Sequence, residues 1–137
     1  MTKAPETNYQ KVRDFTEAME QPVDIPASDS RLISQYALRK ILIREEADEA
    51  MEAFDAILRS GPTKDNVAHL TKELADILYV VYGAAVTFGL PLEEVFDRVH
   101  TSNLSKLVDG KPLKREDGKV LKGPNYQPPK LDDLFNG

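Results

Sequence analysis

The chain has 137 residues, 41% of them hydrophobic and 30% charged, with a net charge of −5; this suits one soluble domain with a real core and excludes a disordered polyelectrolyte. It contains no cysteine, which excludes a disulfide framework and zinc–thiolate sites. The start, "MTKAPETNYQKVRDF", lacks the apolar region of a signal peptide, and the longest apolar run, Leu74–Leu90, is broken by Asp76, two tyrosines and two glycines, so the expectation is a cytoplasmic protein with no membrane association.

Periodicity and punctuation predict four helices. The first runs from about Asn8 to Glu20, with Val12, Phe15 and Met19 on one face, and stops before Pro22. After the loop "QPVDIPASDS", one of Ser28, Asp29 or Ser30 is placed to cap a second helix that reaches about Arg59 and ends at "SGP". Thr63 caps a third, from about Lys64 to Phe88, closed by Gly89. Pro91 falls in the first turn of a fourth, with Glu93 and Glu94 where the helix dipole favours acids, and this helix extends to about Leu107. The remainder holds two Asp-Gly turns and four prolines and reads as a loop or small hairpin with an extended tail. The expected architecture is a single all-α domain over residues 1–137, a four-helix bundle with core helices over about 8–107 and a basic C-terminal tail over 108–137.

Charge is unevenly divided. Residues from Lys106 onward carry a balance of +2 and the first 105 residues −7. An acidic body argues against nucleic-acid binding and suits a site that holds cations, with a basic appendage to meet phosphates.

The second helix carries carboxylates beside its apolar line. With about 100° per residue and Glu45 at zero, Leu38, Leu42 and Glu49 fall within about 60°, and Glu46 near 100°. Lys40, Arg44, Asp48, Asp55 and Arg59 form a separate charged sector, which we take as the outer face. The third helix is apolar almost all round, yet it carries Glu73 and Asp76, three residues apart and projecting from one side. A lone acid at a helix boundary is ordinarily solvated or salt-bridged; two such pairs on neighbouring helices are harder to explain that way. Burial of unpaired carboxylates costs several kcal/mol each. Basic partners are scarce, since Arg44 is on the outer face and Lys72 is read as pointing away from Glu73. A divalent cation is the economical compensation. Oxygen donors without cysteine, and without histidine at ligand spacing, suit magnesium or manganese. A di-iron carboxylate site is set aside because neither His69 nor His100 follows a glutamate by three. Asp48 and Glu52 read as rim residues, and Tyr79 and Tyr82 as core.

The spacing Glu45-Glu46-x-x-Glu49, 23 residues, then Glu73-x-x-Asp76 resembles the EExxE…ExxD signature of the MazG-like all-α nucleoside triphosphate pyrophosphohydrolases, which include phosphoribosyl-ATP pyrophosphohydrolases and dimeric dUTPases. The segment "VHTSNLSKLVDGKPLKREDGKVLKGPNY" is similar to the tail of a dUTPase-like subgroup. The resemblance implies hydrolysis of a nucleoside triphosphate between the α and β phosphates, to a monophosphate and pyrophosphate. It implies metal ligation by Glu45, Glu46, Glu49, Glu73 and Asp76, more than one Mg2+ (or Mn2+) per site, and a catalytic role for Glu45 and Glu46 in orienting the attacking water. It also implies a homodimer or dimer of dimers, because the site of such proteins lies between partnered subunits and the apolar third helix needs covering. Lys106, Lys119 and Lys122 are the expected phosphate contacts, Asn103 a hydrogen-bonding group near the sugar or base, and Tyr126 a surface for base stacking. Lys111, Lys114 and Arg115 read as solvated. The expected substrate is dUTP or a purine nucleotide such as dGTP or GTP. Phosphoribosyl-ATP is the alternative substrate, and a non-catalytic helical interaction module the alternative class.

Overall fold

A computed structural model of the chain describes residues 5–135. It contains four helices: α1 (Asn8–Ala18), α2 (Leu32–Ser60), α3 (Lys64–Phe88) and α4 (Leu92–Leu104). The fold is all-α. The chain divides into two compact units between Leu90 and Pro91, so α4 groups with the tail and not with the three preceding helices.

In the first unit, α3 packs against both α1 and α2. The α2–α3 turn is tight because each end is chemically finished. Gly61 ends α2 at φ 88°, and its N–H donates to the Ile57 carbonyl. The Thr63 hydroxyl accepts from the Asn66 N–H and opens α3. The buried apolar residues of these helices are mostly small: Ala50 and Ala53 on α2, and Ala85 and Val86 on α3. Gly89 closes α3 at φ 61°, and a Cβ there would meet Asp24 Oδ1 at 2.9 Å. The loop after α1 lies along this end, where the Asp24 and Ile25 N–H groups donate to the Val86 and Thr87 carbonyls at 3.0 and 2.8 Å. Those carbonyls belong to the last turn of α3, beyond the reach of i+4 donors within the helix; the Val86 carbonyl also accepts from the Gly89 N–H at 3.4 Å.

Some helix boundaries differ from expectation, and α1 ends at Ala18, two residues before Glu20. Helix α2 starts at Leu32 without a side-chain cap, because Asp29 is engaged elsewhere: it accepts from the Arg31 N–H at 2.8 Å and pairs with the Arg31 guanidinium at 2.9 Å. That pairing holds its carboxyl down to about 2. Helix α4 ends at Leu104, three residues early, and Pro91 precedes it without lying in its first turn.

In the second unit, α4 is followed by an antiparallel hairpin, β1 (Leu113–Lys114) and β2 (Val120–Leu121), in register Leu113 to Leu121 and Lys114 to Val120. The extended tail is stitched to α4. Ser102 Oγ donates to the Gln127 carbonyl at 2.7 Å, and Arg98 donates to the Lys130 carbonyl and to both carboxylate oxygens of Asp133. The cleft of about 590 Å³ between them includes Arg98, Ser102, Gln127 and Lys130 in its lining, and these are paired in this way.

Loss of the Thr63 cap by Thr63→Ala should lower unfolding free energy by about 1 kcal/mol, read by urea denaturation at constant m-value.

Candidate metal and active site

Helices α2 and α3 run antiparallel as a hairpin, so residue pairs whose numbers have a constant sum lie opposite one another. Glu46 is opposite Asp76 and Glu49 is opposite Glu73. One carboxylate oxygen from each of these four lies within 4.8 Å of all the others. Glu73 is only 3% exposed, Glu46 and Asp76 are half-buried, and Glu49 sits at the exposed rim.

The group is electrostatically unfinished. Glu46 Oε2 and Glu73 Oε2 are buried without a hydrogen-bond partner. The Glu46 charge, then a hydrogen bond with Glu73 and the Glu73 charge, push the Glu49 pKa above its ordinary value of 4.5. One cation does approach. Lys72 Nζ lies 2.7 Å from Asp76 Oδ2 and 3.5 Å from Glu73 Oε1. This corrects the reading that Lys72 points away: its Cβ does leave Glu73, but the flexible four-carbon stem folds back one turn to Asp76. On the other shoulder, exposed His69 places Nδ1 3.7 Å from Glu73 Oε1.

These residues fit a hard divalent ion. All four donors are carboxylate oxygens, two of them bring buried unpartnered atoms, and the cluster is already near ligand spacing. Oxygens around an ion with bonds of about 2.1 Å stand at most roughly 4 Å apart, so small side-chain adjustments suffice.

Glu45 is not brought into this group. It faces a shallow cleft formed with Ala37, Lys40, Ile41, Arg44 and Asp48. The face of α2 buried against α3 follows Arg39, Glu46, Ala50 and Ala53, which share one stripe; Arg39, Ala50 and Ala53 are its buried members. Leu38, on the apolar line read from the sequence, is exposed, and so is Ile41. The core line is therefore rotated about 100° from the one the larger apolar residues suggested, because close helix approach selects alanine, not leucine. Asp48 and Glu52 lie outside the group and are exposed, as expected. Tyr79, read as core, is partly exposed and packs edge-on against Phe15 at 5.6 Å.

The remaining candidates belong to the second unit. Lys122 Nζ sits 4.7 Å from the centre of the Tyr126 ring, a cation–π contact that brings two of them together. Lys119 lies in the hairpin turn, where its N–H donates to Asp117 Oδ1 at 3.1 Å. Lys106 is half-buried, and its carbonyl sits where a Cβ on Gly123 would approach to 2.8 Å. Asn103 is exposed in the last turn of α4. Arg39, 7% exposed, was missed entirely. Its signal was its position seven residues before Glu46, on the same stripe.

Residues 12–103 match the family model for phosphoribosyl-ATP pyrophosphohydrolase, a family within the MazG-like all-α nucleoside triphosphate pyrophosphohydrolase superfamily. An uncharacterized protein of Acanthamoeba polyphaga mimivirus is 33% identical over 78 residues, covering 53% of this chain and 31% of the viral protein. The chain thus spans about a third of that relative's length.

A raised Glu49 pKa means that the folded chain holds a proton there more tightly than the unfolded one. The penalty is absent below the ordinary pKa of 4.5 and complete above the raised value, so metal-free stability falls as pH climbs through that window. Cations bind the deprotonated form. Mg2+ or Mn2+ should raise Tm more at about pH 8 than at about pH 5. Glu49→Gln should raise the metal-free Tm and shrink the metal-induced shift. Thermal denaturation with and without the ion checks both.

Proposed function

The chain belongs to the phosphoribosyl-ATP pyrophosphohydrolase family, and from that membership we propose that it is a magnesium-dependent nucleoside triphosphate pyrophosphohydrolase acting in nucleotide-pool control. The observation that carries this reading is the four-carboxylate group of Glu46, Glu49, Glu73 and Asp76, which leaves buried oxygens unpartnered. In the proposed reaction water attacks the α-phosphorus, the bond from that phosphorus to the bridging oxygen breaks, and a nucleoside monophosphate and pyrophosphate leave. Bound divalent ions supply neutralisation of phosphate charge and activation of water. Glu46, Glu49, Glu73 and Asp76 hold them. Glu45, exposed and adjacent to Glu46 in sequence, orients the attacking water or supports a second ion. Lys106, Lys119 and Lys122 meet the phosphates, Asn103 the sugar or base, and the Tyr126 ring offers a stacking face.

The substrate is dUTP or a purine nucleotide such as dGTP or GTP. The family match favours phosphoribosyl-ATP as a second reading; it requires the same bond cleavage and the same carboxylates. The working form is a homodimer or dimer of dimers. Support comes from large apolar side chains left uncovered in the first unit, with Leu58 82% and Ile33 76% exposed and Met51, Leu74 and Leu78 partly so.

Pyrophosphate release with Mg2+ should be measured across the dNTPs, the NTPs and phosphoribosyl-ATP. Turnover of at least one, abolished by chelation, is expected; no turnover of any would sink the assignment. Glu49→Ala and Asp76→Ala should each lower kcat/KM by roughly 100-fold or more, since a lost ligand removes several kcal/mol of transition-state stabilisation. Full activity in both variants would place the site elsewhere. Sedimentation should show a species heavier than the 15.3 kDa chain.

A further inference from the structure

Two residues of the first unit break local rules at the same place. Arg39 is a buried arginine with no carboxylate partner among the described residues: its NH2 group donates to Gln21 Oε1 at 3.2 Å, and Nε is buried with no acceptor. Burial alone lowers its pKa. Buried guanidinium groups are ordinarily paired, because desolvation is costly and hydrophobic replacements are often neutral or better. Opposite it, Gly83 interrupts the interior of α3, where glycine weakens a helix relative to alanine. The two are linked. A Cβ on Gly83 would stand 2.9 Å from the Arg39 NH1 atom, so the glycine makes the room that the guanidinium occupies. Chains tolerate such violations where function requires them.

The surroundings are polar and also incomplete. By the register that pairs Glu46 with Asp76, Arg39 lies opposite Gly83 and Gln35 opposite Thr87. Gln35 Oε1 and Thr87 Oγ1 are both buried without partners. Tyr36 and Phe88 stack at 3.8 Å beside them. Seven residues, or roughly 10 Å of helix rise, separate this layer from Glu46. The intervening layer, Leu42 opposite Val80, is apolar. Gln21, whose side chain is the one hydrogen-bond partner of the guanidinium among the described residues, is itself exposed, so the guanidinium lies one side chain below the surface.

We infer that Arg39, seated on Gly83, is a specificity-determining residue that donates hydrogen bonds to the base of the nucleotide whose phosphates the carboxylate group engages. This rests on the pyrophosphohydrolase reading. The offset along the helices spans sugar and base and not phosphate, and the apolar layer suits a sugar. A guanidinium offers donors only. Beside an acceptor it therefore matches a base edge that places a carbonyl next to a ring N–H, as guanine and uracil do, and meets the amino donors that adenine and cytosine carry at the same edge as like against like. The free Gln35 oxygen provides the complementary acceptor for a ring N–H. The substrate class is a keto-base nucleotide.

The test compares wild type, Arg39→Met, Arg39→Lys and Gly83→Ala in kcat/KM for dGTP, dUTP, dATP and dCTP, alongside Tm and the Mg2+-induced Tm shift. Wild type should prefer dGTP or dUTP over dATP and dCTP. Arg39→Met and Gly83→Ala should each reduce that preference at least about 10-fold through KM, the loss of one good base contact. Both should keep or raise Tm and keep the Mg2+ shift. Arg39→Lys should recover part of the preference. Gly83→Ala leaves the arginine in place and only displaces its tip, so it separates recognition from folding. Unchanged base preference in Arg39→Met and Gly83→Ala would overturn the inference while leaving the hydrolase reading intact. So would equal weakening of all four nucleotides, which would put the guanidinium on the phosphate chain. A wild type that prefers dATP or dCTP would overturn it directly. No turnover of any of the four by wild type would overturn this inference, and the hydrolase reading would fall only if the NTPs and phosphoribosyl-ATP were left intact as well.

Discussion

Four carboxylates held within 4.8 Å of one another between two antiparallel helices are the constraint on which the rest of this structure depends. Like charges at that separation repel, and a glutamate that is 3% exposed has surrendered its water. The helix pair stays together because everything around the group favours it. Alanines at positions 50 and 53 let the backbones approach. The Thr63 cap and the positive-φ Gly61 make the turn between the helices short. The loop after α1 satisfies the carbonyls at the far end of α3. Lys72 brings partial relief through Asp76. A hard divalent ion would supply the remaining relief.

The same hairpin carries a second polar layer, built on the opposite sign. Going down the α2–α3 contact from the turn, a ring of acids is followed by an apolar layer and then by a guanidinium over a glycine. A ligand with a charged end, an apolar middle and a hydrogen-bonding head would match that order. A nucleotide chelated by metal has that shape. The charge pattern of the chain points the same way, with a body of −7 and a C-terminal region of +2. In the latter, Lys122 lies over the Tyr126 ring.

Much of this was legible in the sequence. Helix positions followed from proline, glycine and capping residues, whose effects are local. Glu46, Glu49, Glu73 and Asp76 were legible because acids on apolar helices lack any local reason to be there, and because their spacing resembles a known signature. What was not legible depends on rotation and reach. The buried face of α2 is set by small residues, so a reading that followed leucine and isoleucine rotated the helix by about 100°, put Glu45 beside Glu49 and left Arg39 unnoticed. The course of a lysine side chain is not fixed by its Cβ direction, so Lys72 was assigned to the wrong side. The start of α2 depended on whether Asp29 bonded the helix or Arg31, a choice between near-equal local partners.

The most direct test of the central claim is anomalous diffraction from crystals soaked in Mn2+. The account predicts at least one strong peak bounded by carboxylate oxygens of Glu46, Glu49, Glu73 and Asp76, with Lys72 Nζ moved off Asp76. A map with no peak there, and with the Lys72–Asp76 ion pair still closed, would contradict it.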